Sequence, residues 1–204
     1  DGLFNGNSSI KLLLKNNKIL IFDKRNANAL LMFDMNGRFL RKIGNRGGGP
    51  GEYTMLWNFT ADDKAIYLLD VSTNKILIYD YEGNHIQDKK LPIHAMDINL
   101  LDNGDFLLAE HPLTWRDDQD NYKIAVTDNK FVIKNRLLKS NESDSKLGMD
   151  SNFGDLKDYI TYQSYVQDTL YVFDRKTGSY TTYSFDFPNK VPLEMRSGID
   201  FARS

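Results

Sequence analysis

At 204 residues with 41% hydrophobic content, the chain is long enough to bury a real core, and it fits one domain or part of a larger one. Lys and Arg number 26 against 28 Asp and Glu, with both signs interspersed, which leaves no electrostatic footprint for nucleic acid or an anionic membrane. Cysteine is absent, so disulfides, thiolate catalysis and Cys-ligated zinc are excluded, while the compartment stays open.

In chain order, the opening DGLFNGNSSI has neither a charged n-region nor an apolar h-region, and no apolar run approaches a membrane span. An export signal or lipid anchor is expected, if anywhere, upstream of Asp1. The first strands follow: SIKLLLK (Ser9 to Lys15), KILIFD (Lys18 to Asp23), LLMFD (Leu30 to Asp34) and RFLRKI (Arg38 to Ile43). A second set begins near Met55 to Thr60 and continues through AIYLLD (Ala65 to Asp70) and KILIYDYEGNHIQ (Lys75 to Gln87). A third reads DFLLAE (Asp105 to Glu110) and YKIAVTDNKFVIKNRLL (Tyr122 to Leu138), and a fourth TLYVFD (Thr169 to Asp174) and SYTTYSFDF (Ser179 to Phe187). Runs such as ILIF and IYLL are short, apolar on both faces and bounded by Asn, Asp and Gly, which describes strands covered on both sides. Turn signals at Asn36-Gly37, Glu82-Gly83, Asn103-Gly104 and Thr177-Gly178 make the pairings antiparallel. No segment carries a sustained helical stripe, and the polar stretch Ser140 to Asp158 reads as an inter-blade loop.

The sets repeat. Asp23 and Asp70 stand 47 residues apart, Asp34 and Asp80 stand 46 apart, and Asp128 follows Asp80 by 48. A period of this length built from four short strands is the signature of a β-propeller. The expected fold is therefore all-β, a β-propeller of four-stranded antiparallel blades over residues 1–204, with blades at about 9–44, 55–91, 94–138 and 159–187. An open arc of four blades would expose apolar sheet faces, so a longer, closed parent is expected.

The strand–turn–strand unit followed by IGNRGGGPGEY (Ile43 to Tyr53) resembles the NHL-like six-bladed β-propeller family abundant in Bacteroidetes, which carries an IGxxGxGPGEY signature. The later TLYVFD to YSFDFPNKVP (Thr169 to Pro192) is similar to that family's later blade, with Asp186-Phe187-Pro188 in place of Asp-Phe-Gly. The resemblance implies about four blades of a family six. It also implies an exported protein, periplasmic or an outer-membrane lipoprotein, of unsettled function.

The glycine-rich stretch lacks GK[ST], GxGxxG spacing and a following helix, so a phosphate loop is not expected. Gly47, Gly48, Gly49, Pro50 and Gly51 read instead as a sharp turn between blades, pinned by Glu52 and Tyr53. Of the histidines His85, His94 and His111, His94 precedes an expected channel-side strand and His111 follows its neighbour, and these two are the pair a calcium or zinc ion would use, although turn or rim positions explain all three. Acidic DDQDN (Asp117 to Asn121) lacks the Gly and Glu of a calcium loop. No Ser–His–Asp or paired-carboxylate arrangement can be read from spacing alone, and no cofactor is expected. The most informative irregularity is the long loop Glu110 to Tyr122. There Trp115 and Arg116, with Asp117 and His111, offer an aromatic face and a planar cation suited to a glycan, a peptide or a partner protein; folding of Trp115 back onto the blade rim is the competing reading. Trp57 is expected in the core or channel wall. A binding or scaffold module is thus the expectation, outside the cytoplasm as the resemblance implies; the alternative, implied by more distant NHL-like enzymes, is a channel-sited metal-dependent lyase or hydrolase.

Overall fold

The computed structural model describes residues 10–111, 120–140, 152–163 and 168–186. The chain divides into two compact units, Asp1–Leu91 and Pro92–Ser204, and each contributes two four-stranded antiparallel sheets. Every described element is a strand.

In the first unit, blade one is a meander of β1 (Ile10–Lys15), β2 (Lys18–Asp23), β3 (Ala29–Phe33) and β4 (Phe39–Ile43). A two-stranded parallel clip, β5 (Asn45–Arg46) with β6 (Glu52–Tyr53), leads to blade two: β7 (Leu56–Ala61), β8 (Ile66–Asp70), β9 (Lys75–Tyr79) and β10 (His85–Lys90). The middle strands are buried on both faces, which is why ALLMF and KILIY are almost unbroken apolar runs. The fourth strands FLRKI and HIQDKK are charged and largely exposed. One face of each blade meets in a common core of Leu20, Phe22, Leu30, Met32, Phe59, Leu68 and Leu77, with Phe22 edge-on to Phe59 at 6.2 Å.

In the second unit, blade three is β11 (Ala95–Leu100), β12 (Phe106–Glu110), β13 (Tyr122–Thr127) and β14 (Ile133–Lys139). Blade four is β15 (Asn152–Asp155), β16 (Tyr159–Gln163), β17 (Thr169–Asp174) and β18 (Tyr180–Ser184). Their shared core holds Leu107, Ile124, Phe153, Ile160, Tyr162 and Phe173. Two details differ from the sequence reading. Strand β15 lies inside the stretch expected to be loop, because NFGD gains strand character only from pairing with β16. TLYVFD is the third strand of its blade, whereas KILIFD and IYLLD are second strands. Asp closes the second strands β2 and β8 and stands at or just after the ends of the third strands β3, β9, β13 and β17, so the two kinds of run look alike.

The recurring third-strand Asp has a definite task. Asp34, Asp80 and Asp128 each open a tight hairpin in which their C=O accepts the N–H three residues on, from Gly37, Gly83 and Phe131 respectively. Their carboxylates accept further turn amides, those of Arg38, Asn84 and Val132 among them, at 2.7 to 2.9 Å. The third turn residue takes positive φ: +80° at Gly37, +84° at Gly83 and 63° at Phe131, where ring contact with Phe106 at 4.8 Å offsets the backbone strain. All three carboxyls are held below the usual Asp value, foremost by the Arg38 amide at Asp34, the Asn84 side chain at Asp80 and the Val132 amide at Asp128.

Candidate functional site

A meander puts two kinds of connection at opposite ends of each blade. The first-to-second and third-to-fourth hairpins share one end; the second-to-third loops and the inter-blade connections share the other. Of the sequence-selected residues within the described ones, His94, His111 and the 47–53 stretch belong to connections of the second kind, whereas His85 opens β10 just after a tight hairpin of the first kind.

In the first unit this end is rigidly braced. Asp70 closes β8 fully buried, and its carboxylate accepts from the Thr54, Met55 and Ser72 amides at 2.8, 3.2 and 3.0 Å and from the Thr73 hydroxyl at 2.9 Å. Asp23 repeats the motif with the Arg25 and Asn26 amides, while its Oδ2 has no partner among the described residues. The position corresponding to Thr54, ahead of β1, lies outside them. Asn28 stands at φ 42° and holds both peptide groups of Leu56: its Nδ2 donates to the Leu56 C=O at 2.7 Å, and its Oδ1 accepts the Leu56 N–H at 3.2 Å. Asn74 occupies the matching loop of blade two, also at positive φ.

The glycine-rich loop belongs to this brace. Glu52 Oε2 accepts the Gly49 amide at 2.8 Å, the Gly47 N–H donates to the Tyr53 C=O at 3.0 Å, and Tyr53 donates its hydroxyl to the Asn28 C=O at 3.0 Å. Gly51 sits at φ +69° against His85, and Tyr79 donates its hydroxyl to the Gly51 carbonyl. Burial pushes the Tyr79 hydroxyl pKa up to about 12, helped by the negative charge of Asp88. Glu52 is thus turned onto the loop's own backbone, and Tyr53 onto that of the Asn28 loop. His85 is held by Asp88 at 2.8 Å, which Lys75 binds from the other side at 2.9 Å. Beside the loop, a β-bulge at Trp57 leaves that residue without a cross-strand partner, and the Lys24 ammonium stands 3.4 Å from the indole centroid. Trp57, expected in the core or channel wall, is half-buried on β7, the first strand of its blade.

In the second unit, blade three brings His94 and His111 together. They stand one step beyond the Ala95–Glu110 pair, and the His111 N–H donates to the His94 C=O at 2.7 Å. His94 is exposed and His111 half-buried; burial, then the neighbouring His94, pushes the His111 pKa down. Adjacent Glu110 is clamped by Arg136 at 2.7 Å, yet burial outweighs that cation and raises the Glu110 carboxyl pKa. Trp115, Arg116 and Asp117 lie outside the described residues. Sequence inspection overlooked Asn28, the Lys24–Trp57 contact and the Glu110–Arg136 pair. The recurrence of Asn at the ends of KRNAN and VSTN was the available signal for the first; the other two depend on cross-strand placement. Among the described residues no three His, Cys, Asp or Glu converge as a metal-ligand group.

Blade four carries a concavity of about 670 Å³ on its face, lined by Tyr159, Leu170, Val172, Thr181, Tyr183 and Phe185 among others. No helix among the described residues is long and apolar enough to cross a membrane.

A family profile described as a domain of unknown function (DUF4934) matches residues 2–203. No curated protein matches the chain. Among solved structures, a Bacteroides fragilis protein described as exported superposes with a TM-score of 0.74 at 24% identity, over 91% of this chain and 54% of that one. The Neurospora crassa Pan2 WD40 domain gives 0.51 at 11% identity, over 87% and 49%. Staphylococcus aureus virginiamycin B lyase, in a catalytically inactive form with quinupristin, gives 0.57 at 14% identity, over 92% and 59%. These likenesses establish the β-propeller fold, since WD40 domains are propellers of four-stranded blades. The chain spans between about half and three-fifths of the length of these structures.

Proposed function

We propose, from the premise that the chain belongs to the DUF4934 family, that it is a binding or scaffold propeller working outside the cytoplasm, whose loop-bearing blade end meets a glycan, a peptide or a partner protein. The observation that carries this reading is the end of blade three. There the long second-to-third connection departs from a base of His94, His111 and an Arg136-clamped Glu110, whereas the matching loops of the first unit are short and tied to backbone. A long loop on a rigid sheet end is where recognition residues concentrate, and Trp115, Arg116 and Asp117 within it supply an aromatic face, a bidentate donor and an acceptor.

Export to the periplasm or the outer membrane is supported by the description of the Bacteroides fragilis relative. Membership of a six-bladed ring is supported by the resemblance of IGNRGGGPGEY to the NHL-like signature and by the partial coverage of the matched propellers. The alternative, a metal-dependent lyase or hydrolase, draws on the likeness to virginiamycin B lyase, which at 14% identity speaks for the fold only. Glycan and peptide arrays probed with the wild-type chain and with Trp115→Ala and Arg116→Ala test the reading. Capture of one ligand class that both substitutions abolish is expected; capture that neither alters would overturn it.

A further inference from the structure

The ladder of blade three ends on two histidines. His94 and His111 continue the register of the Ala95–Glu110 pair, and the 2.7 Å bond from the His111 N–H to the His94 C=O holds them opposite each other. Directly opposed residues of antiparallel strands project from the same face with Cβ atoms about 4.5–5.5 Å apart. Two imidazoles therefore rise side by side, at a spacing from which both can reach one ion at the usual ~2.0–2.1 Å bond length. In blade two the same register places Met55 opposite Val71 through the equivalent bond at 3.3 Å. The blade architecture thus does not require histidine there; the pair is a property of blade three.

We propose that His94 and His111 form a two-imidazole site for a divalent transition-metal ion of the zinc class, at the base of the long blade-three loop. His94 is exposed and His111 half-buried. The rings also lie close enough for charge on His94 to act on His111. Paired imidazoles select zinc, nickel or copper over calcium and magnesium, which prefer oxygen. Among the described residues no third His, Cys, Asp or Glu completes a cluster with the two imidazoles. The site stands on strand register alone and is independent of what the Trp115 loop binds.

The test is calorimetric titration of Zn²⁺ into the tag-free 204-residue chain, with the imidazole ring signals followed by NMR. One ion per chain is expected, shifting the His94 and His111 signals together and leaving those of His85, which is engaged with Asp88, in place. His94→Gln and His111→Gln each weaken binding by at least about tenfold, and His85→Gln leaves it unchanged. Absence of saturable uptake by the wild-type chain overturns the site. So does zinc-induced movement of the His85 signals in place of the other two, or an affinity that both Gln variants retain.

Discussion

Replacing Asp70 by Asn changes one atom of a side chain that is wholly buried, and the expected cost follows from its partners. Each carboxylate oxygen accepts two bonds: Oδ1 from the Met55 and Ser72 amides at 3.2 and 3.0 Å, and Oδ2 from the Thr54 amide and the Thr73 hydroxyl at 2.8 and 2.9 Å. Every backbone partner is an obligate donor. An Asn amide keeps one acceptor oxygen and turns a donor toward the other side, so the contacts there are lost and the surviving ones lose charge assistance. Bonds to a charged acceptor contribute about 1.5–3 kcal/mol each and neutral ones about 1. After allowance for relief of carboxylate desolvation, the net loss is about 3 kcal/mol, roughly a hundredfold in the folding equilibrium. Urea unfolding in a Trp115→Phe background, where Trp57 next to this brace is the sole indole, reads the effect directly. A loss below about 1 kcal/mol would refute the claim that Asp70 ties the entry of β7 to the end of β8.

Three further outcomes follow from the same geometry. Gly51→Ala places a Cβ 2.6 Å from His85 Cγ at a backbone φ of +69°, and should cost at least about 2 kcal/mol in thermal unfolding; His85→Ala in the same chain recovers the clash but not the backbone strain. The β1–β2 hairpin turns through Asn16 and Asn17, both at positive φ, so Asn17→Gly should stabilise the first unit by about 0.5–1 kcal/mol in urea unfolding. The hairpin carboxyls of Asp34, Asp80 and Asp128 have folded pKa values below the unfolded 3.8, so their stabilisation is complete above that value and fades as pH falls through the folded ones. Melting temperature should therefore drop below about pH 4, and Asp80→Asn should lower the plateau between about pH 6 and 8 and flatten that acid limb; an undiminished acid limb in the variant contradicts the assignment.

The blades were legible because their middle strands are buried on both faces and the third-to-fourth hairpins of blades one to three reuse one solution, an Asp followed three residues later by positive φ. Legibility failed where a residue owes its role to a neighbour far away in sequence. NFGD in β15 has no strand pattern of its own and becomes a strand by pairing with Tyr159–Gln163. Phe131 gave no turn signal, since a buried ring lets a bulky residue stand where the other blades use glycine. For Trp57 the choice between core and channel wall stayed open, because a single-residue bulge in β7 decides which way the indole leaves the sheet. His94 and His111 were suspected as a pair, but only the register of β11 against β12 shows them opposed.

Among the four outer strands, β4, β10 and β14 carry Arg or Lys along their length: Arg41 and Lys42, Lys89 and Lys90, Lys134 and Arg136. Strand β18, YTTYS, carries no charge and is exposed at every position. Fixed charges on an edge normally discourage a second strand from docking there. Three of the blades are guarded in that way, whereas β18 itself carries no such charge and has Tyr180 and Tyr183 exposed. In practical handling, β18 is the place to expect slow self-association during concentration or storage. A single lysine at Thr182 is the smallest change that would give blade four the protection the others already have.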